Sequence, residues 1–177
     1  TLINAPIEEL NKEKNLSEKG QYYLNLATKQ SGRLSFVATQ LLDFQKVDVG
    51  KGQVFLIMTD IVKLVSRRKS MFAAAAKKQN IRLDFQSNEE SYISAVDELK
   101  IEKVVDNLIS NAIKYSHPNG KIEIRLVCED DRWTLAVKDY GLGISYKAKD
   151  KLFREFYRGD NVVNSKMVGS GIGLLLV

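Results

Sequence analysis

The chain is poor in the residues that cross-link or interrupt a fold. Its 177 residues include one cysteine, two prolines, one tryptophan and one histidine. A lone cysteine, Cys128, excludes an internal disulfide and points to a reducing compartment. It stands in IEIRLVC, an expected strand, where a thiol acts as a small buried hydrophobe. No apolar run reaches the ~18 residues a membrane-crossing helix needs, and no signal peptide is visible. Charge of one sign is also in short supply. The net charge is +5, with Lys and Arg spread along the chain, so the basic stripe of a nucleic-acid binder is missing. What remains is 44% hydrophobic and 28% charged, a globular balance rather than a disordered one. The length admits one ordinary domain, or a small domain with an extension. With no initiator Met and a first segment, TLINAPIEEL, that reads as mid-helix, the chain is expected to be a piece of something longer.

Residues 18–46 contain no proline and carry apolar or small residues at helical spacing: Tyr23, Leu24, Ala27, Leu34, Val37, Ala38, Leu41 and Phe44. Such a helix is about 43 Å long, which suits a hairpin or bundle better than a small core. Ser17 is its expected start. Residues 1–13 are expected to end a preceding helix, with Pro6 placed to kink it. VDVGKGQ at 47–53 reads as a linker, after which the pattern turns to mixed α and β. VFLIM is a strand candidate. Thr59 or Asp60 is the expected cap of a single helix over IVKLVSRRKSMFAAAAKKQ. RLDFQ and SYISA read as strands or a hairpin, and Asp97 as the cap of a helix over 98–115. KIEIRLVC and RWTLAVKD alternate with period two around EDDR, an antiparallel hairpin. Residues 140–170 read as a loop region with one short helix, AKDKLFREFYR.

Three motifs carry chemistry. In NLISNAIKYS (107–116), Asn107 and Asn111 lie one helical turn apart, and Lys114 follows on nearly the same face. Leu108, Ile109, Ala112 and Ile113 fill the opposite side. A buried unpaired amide costs roughly 1–3 kcal/mol, so a polar seam on such a helix needs water or a ligand. An amide oxygen suits Mg²⁺ and an ammonium suits a phosphate. In DYGLG (139–143), Asp139 ends a strand. An ionised carboxylate only accepts hydrogen bonds, which selects an exocyclic amine such as that of adenine. Gly141 and Gly143 permit close backbone approach and positive φ. In GSGIGL (169–174), Gly169, Gly171 and Gly173 precede an apolar helix-like segment whose backbone amides can cradle phosphates. Each motif alone also fits a solvated face or a turn. The ordered set, with a hairpin between the first two, is specific.

The set resembles the ATP-binding domain of sensor histidine kinases, within the wider family that includes gyrase, Hsp90 and MutL ATPases. NLISNAIKYS is similar to the N box, DYGLG to the G1 box, LFREFYR to the F box and VGSGIGL to the G2 box. LLDFQKVDVGK and TLINAPIEEL are similar to the two helices of the dimerisation domain. The resemblance implies an α+β protein: a helical hairpin over 1–48, forming a four-helix bundle on dimerisation, then a two-layer α/β sandwich with a mixed sheet over 49–177, incomplete at its end. It implies ATP and Mg²⁺ as cofactors, with Asn111 on the metal, Asn107 beside it and Lys114 on a phosphate. Asn111 and Lys114 are the implied catalytic pair. Tyr115 would line the adenine end and Asp139 would bind the adenine amine. Gly141, Gly143, Gly169, Gly171 and Gly173 would shape the nucleotide loops. Phe153, Phe156, Tyr157 and Arg158 would belong to a lid, Arg158 reaching a phosphate.

The implied reaction moves the γ-phosphoryl group to a histidine and then to an aspartate on a response-regulator receiver domain. The acceptor histidine is expected before Thr1. The chain's own His117 stands in the turn YSHPNG and is not expected to serve. The fragment alone is therefore expected not to autophosphorylate. A homodimer and a receiver domain are the implied partners, with no nucleic acid and no direct membrane contact. The implied setting is the cytoplasmic portion of a membrane-anchored bacterial sensor. Two alternatives stand beside this reading: a gyrase- or Hsp90-type ATPase, whose general base is a Glu where this chain has Asn107, and a dimerisation module with a vestigial nucleotide site.

Overall fold

The computed structural model describes residues 3–13, 15–48, 53–149 and 174. The chain divides into two compact units, Thr1–Gly52 and Gln53–Val177.

The first unit is helical. Helix α1 spans Asn4–Leu10 and helix α2 spans Glu18–Asp48. Ser17 caps α2: its Oγ accepts the Gly20 amide at 3.1 Å. At 31 residues, α2 is about 46 Å long. Pro6 falls in the first turn of α1, where no amide has an intrahelical acceptor to lose. Leu24 is buried, yet Tyr22, Tyr23, Leu26, Leu34 and Val37 of the same helix are exposed.

The second unit is a two-layer α/β structure. Strand β1 (Ile57–Asp60) leads into helix α3 (Ile61–Met71), and a short helix α4 (Ala73–Lys77) follows. Then come strand β2 (Arg82–Ser87), strand β3 (Ile93–Val96), helix α5 (Glu98–Tyr115), strands β4 (Lys121–Cys128) and β5 (Trp133–Asp139), and helix α6 (Tyr146–Lys149). The helix expected over 61–79 breaks at Phe72, whose backbone (φ −89°, ψ −2°) ends α3. The break lets Ala76 turn inward to 2% exposure while Phe72 packs on the core.

The strands after it do not form a hairpin. β3 pairs antiparallel with β1, whereas β2 pairs parallel with β4, and β4 pairs antiparallel with β5. The result is a mixed sheet of order β2-β4-β5 beside a two-stranded one. Asn88 closes the end of the parallel pair, donating to Cys128 O and accepting from Cys128 N, each at 2.8 Å. Cys128 is buried, and that burial pushes its thiol pKa up. The expected hairpin of β4 and β5 is present in full register, Ile122 opposite Asp139 through Cys128 opposite Trp133.

Helices α3 and α5 contribute Ile61, Leu64, Val65, Val105 and Ile109 to a core that includes Ile122, Ile124 and Leu126 of β4. Each such side chain stabilises the fold by roughly 1.5–3 kcal/mol. Ion pairs join the two helices on their outer side. Arg67 meets Glu98 at 2.6 Å and Glu102 at 2.7 Å, and Arg68 forks onto Asp106. These fix how α5 lies on the sheet.

Asp60 ties β1, α3 and the approach to β3 together. It accepts the Lys63 amide at 3.2 Å, the Ser91 hydroxyl at 2.8 Å and the Tyr92 amide at 3.4 Å. Partial burial opposes its charge, but these bonds and the Lys63 ammonium outweigh it and lower its pKa to about 2. The folded value lies below the unfolded one, so the carboxylate's stabilisation is complete above about pH 4 and is lost as pH falls through about 2. We expect Asp60→Ala to lower unfolding free energy by about 1–2 kcal/mol at pH 7. The gap between variant and parent should narrow in urea titrations at pH 3.

Candidate functional site

Helix α5 begins on Asp97, whose carboxylate takes the Lys100 amide at 3.1 Å and the Phe55 amide at 3.1 Å. Val105, Ile109, Ala112 and Ile113 are buried against the sheet. Asn107, Asn111, Lys114 and Tyr115 are half-buried. The helical repeat puts Asn107 and Asn111 on one face, with Lys114 beside them. Lys114 Nζ donates to the Tyr115 hydroxyl at 2.7 Å and lies 4.5 Å from the ring centroid. The lysine is thus held at the helix end by the residue that follows it.

The end of α5 is joined to the turn after β5. Leu142 N donates to Tyr115 O at 3.0 Å, and Ser116 forms an isolated antiparallel bridge with Gly141. A Cβ on Gly141 would stand 1.9 Å from Tyr115 O and 2.7 Å from Ser116 Cα. Only glycine fits there. Its bare backbone makes room for the end of α5. Gly143 has φ +65° and open space around it, which suits a loop turn.

Asp139 stands opposite Ile122 in the β4/β5 register. Directly paired residues project to the same face, and Ile122 is buried in the core that includes residues of α5. Asp139 therefore lies on the helix side of the sheet, at the end where α5 terminates. Its Oδ1 accepts the Gly141 amide at 3.0 Å, which fixes the carboxylate over the turn and leaves Oδ2 for another donor. Among the described residues Asp139 is exposed, rather than at the closed base of a pocket.

The structure thus brings Tyr115, Gly141 and Asp139 together where α5 meets the turn after β5, with Asn107, Asn111 and Lys114 along the same helix and Gly143 two residues further along the turn. Arg158, Gly169, Gly171 and Gly173, with Phe153, Phe156 and Tyr157, lie outside the described residues. Sequence reasoning missed Ser116. It is 4% exposed, and its Oγ has no hydrogen-bond partner among the described residues. The signal was present, since residue 116 extends the buried series 105, 109, 112 and is its one hydroxyl. A groove of about 460 Å³ beside Lys69, Lys77 and Arg82 involves none of these residues. Among the described residues, no three His, Cys, Asp or Glu side chains cluster to hold a metal. A metal here would need amide and ligand oxygens, which Asn107 and Asn111 fit.

Residues 96–177 match the family model described as histidine kinase-, DNA gyrase B- and HSP90-like ATPase. Proteins similar to the chain include bacterial sensor proteins and sensor kinases. The chain is 29% identical over 147 residues to the alginate biosynthesis sensor protein KinB of Pseudomonas aeruginosa, covering 83% of this chain and 24% of that protein. It is 29% identical over 182 residues to the sensor protein kinase WalK of Staphylococcus haemolyticus, covering 99% of this chain and 29% of that one. The chain spans less than a third of either relative's length. Its fold matches the full-length ShkA structure solved with AMPPNP, with a TM-score of 0.81 over 94% of this chain and 34% of that chain at 20% identity.

The junction makes a direct prediction. Gly141→Ala should separate the turn from α5 and cost more than about 2 kcal/mol, in the range of overpacked sites. Amide exchange at Leu142 should accelerate in the variant, and a protected Leu142 amide would contradict the role given to Gly141.

Proposed function

We propose that residues 53–177 are the nucleotide-binding part of a two-component sensor histidine kinase. The observation that carries this reading is the junction of α5 with the DYGLG turn. It joins the helix that carries the amide-and-lysine face to the turn that anchors the Asp139 carboxylate. A nucleotide needs both, a metal and cation site for its phosphates and an acceptor for its base.

The residues suit both cofactors. Asp139 Oδ2 would accept the exocyclic amine of adenine, and Tyr115 would line that end. Asn111 would hold Mg²⁺ with Asn107 beside it, the metal supplying charge neutralisation to the phosphates. Lys114 would exchange the Tyr115 hydroxyl for a phosphate oxygen. Arg158 and the Gly169, Gly171 and Gly173 loop would complete the phosphate side. Catalysis would rest on positioning and electrostatics, as phosphoryl transfer generally does. Imidazole is already a nucleophile and needs no base to activate it.

In the whole protein the γ-phosphoryl group would pass to a histidine side chain and then to an aspartate of a response-regulator receiver. Residues 1–48 would form the dimerisation hairpin. The exposed Tyr22, Tyr23, Leu26, Leu34 and Val37 of α2 suit burial in a bundle with a second copy. No helix among the described residues is long and apolar enough to cross a membrane. The relatives' description as sensors supports a membrane anchor elsewhere in the protein, with this part in the cytoplasm.

A gyrase- or Hsp90-type ATPase is the weaker reading, because the amide at Asn107 cannot take a proton from water at neutral pH. Labelling with γ-phosphate tests the proposal in the full-length protein. Asp139→Asn should weaken ADP binding by about 10- to 100-fold, the loss of a charge-assisted hydrogen bond. Asn111→Ala should abolish labelling. Undiminished labelling in both would reject the site, and no saturable nucleotide binding by the parent would favour a vestigial module.

A further inference from the structure

We propose that the groove between α3–α4 and β2 is a binding site for a small organic phosphate, an anion carried on an apolar body. The groove has a volume of about 460 Å³, within the roughly 300–1,000 Å³ of small-molecule sites. One wall is helical, formed by Lys69, Ala73, Ala76 and Lys77. The other is the start of β2, with Ile81, Arg82 and Leu83. Apolar side chains and cations thus line one hollow, and it shares no residue with the nucleotide site proposed above.

The positive charge of the groove is uncompensated. Arg67 and Arg68 of α3 are met by Glu98, Glu102 and Asp106 of α5. Lys69, the next residue, lines the groove instead and is half-buried. Among the described residues, neither Lys69 nor Lys77 has an ion pair or a side-chain hydrogen bond. Arg82 bonds Asp84 through Nε at 3.0 Å and Nη2 at 2.7 Å, and Lys121 stands 3.8 Å from the same carboxylate. Asp84 is thus answered by two cations of its own, and the groove lining contains no carboxylate. An ammonium is a natural point-charge donor to a phosphate.

The walls are fixed before any ligand arrives. Ile81 N donates to Ala76 O and Asn80 N to Lys77 O, each at 3.0 Å, which closes the turn from α4 into β2. Asn80 takes a positive φ of 55° to make that turn. Behind it, Arg82 N donates to Gly120 O and Asn119 N to Gln79 O, each at 3.0 Å. A preformed site loses little ordering entropy on binding. The hollow itself depends on small side chains at 73 and 76, since a bulky residue at 73 would fill it. Its apolar lining gives the body of the ligand a place, so charge alone does not satisfy the groove.

Calorimetric titration of the 177-residue chain with phenyl phosphate tests the site. Binding should be saturable and about tenfold tighter than that of inorganic phosphate, which has the charge without the apolar body. Phenol, the body without the charge, should show no saturable binding. Lys69→Ala and Lys77→Ala should each weaken phenyl phosphate binding about five- to tenfold, and Ala73→Phe should abolish it. Lys78→Ala, one residue outside the lining, should leave it within about twofold of the parent. Amide resonances of residues 76–83 should shift during the titration, and those of 107–116 and 139–143 should not. No saturable binding of phenyl phosphate, equal affinity for inorganic phosphate, equal losses in Lys77→Ala and Lys78→Ala, retained binding in Ala73→Phe, or shifts confined to 107–116 and 139–143 would each overturn the assignment. A chain that binds phenyl phosphate in the groove and no nucleotide elsewhere would reject the function proposed above while supporting this site.

Discussion

The contact of Gly141 with the carbonyl of Tyr115 is the constraint on which the site depends. A Cβ would sit 1.9 Å from that oxygen, and the neighbour is backbone, which has no rotamer through which to yield. The absence of a side chain lets Leu142 N reach Tyr115 O and lets Ser116 bridge the turn. Two elements far apart in sequence are thereby fixed end to end. The Asp139 carboxylate, bonded to the Gly141 amide, inherits its place from this join. So does the polar face of α5, whose last residues could otherwise fray.

The rest of the unit holds α5 against the sheet so that this join can form. Val105, Ile109, Ala112 and Ile113 bury one face of the helix, and ion pairs from Arg67 and Arg68 to Glu98, Glu102 and Asp106 tie its outer side to α3. The exposed members of such pairs contribute little individually. Their value here is geometric, because a helix held on two sides cannot rotate its Asn107–Asn111–Lys114 face away from the turn. Asp97 anchors the other end, capping α5 while holding Phe55 before β1.

Much of this was legible in the sequence, and the parts that were not share a cause. Asp60, Asp97 and Ser17 were readable as caps because capping is a local interaction. The alternation of KIEIRLVC and RWTLAVKD was readable as a hairpin because its turn is local too. The partners of β2 and β3 were not readable, since pairing β2 parallel to β4 spans a helix and no short-range signal encodes it. The break at Phe72 was hidden because a polyalanine segment favours helix, while burial of Phe72 and Ala76 in the core overrode that propensity. The site residues stood out by type and spacing. The steric reason for Gly141 and the orphaned hydroxyl of Ser116 emerged only when α5 and the turn were seen side by side.

The pairing of Lys114 with Tyr115 gives the site a graded electrostatic logic. The ammonium donates to the phenol and lies over its ring, a neutral partner that keeps it near the helix end at modest energetic cost. A phosphate is an anionic and therefore stronger acceptor, so under the proposed function a nucleotide phosphate would displace the phenol and free the tyrosine. Asn107 fits the same logic. An amide at that position can orient a ligand or share a metal's coordination shell, but it cannot accept a proton as a carboxylate would. On the proposed reading, the polar face of α5 would hold phosphates still and would activate water poorly. Under the proposed function, that balance would favour an external nucleophile that needs no base, and an imidazole would meet the requirement.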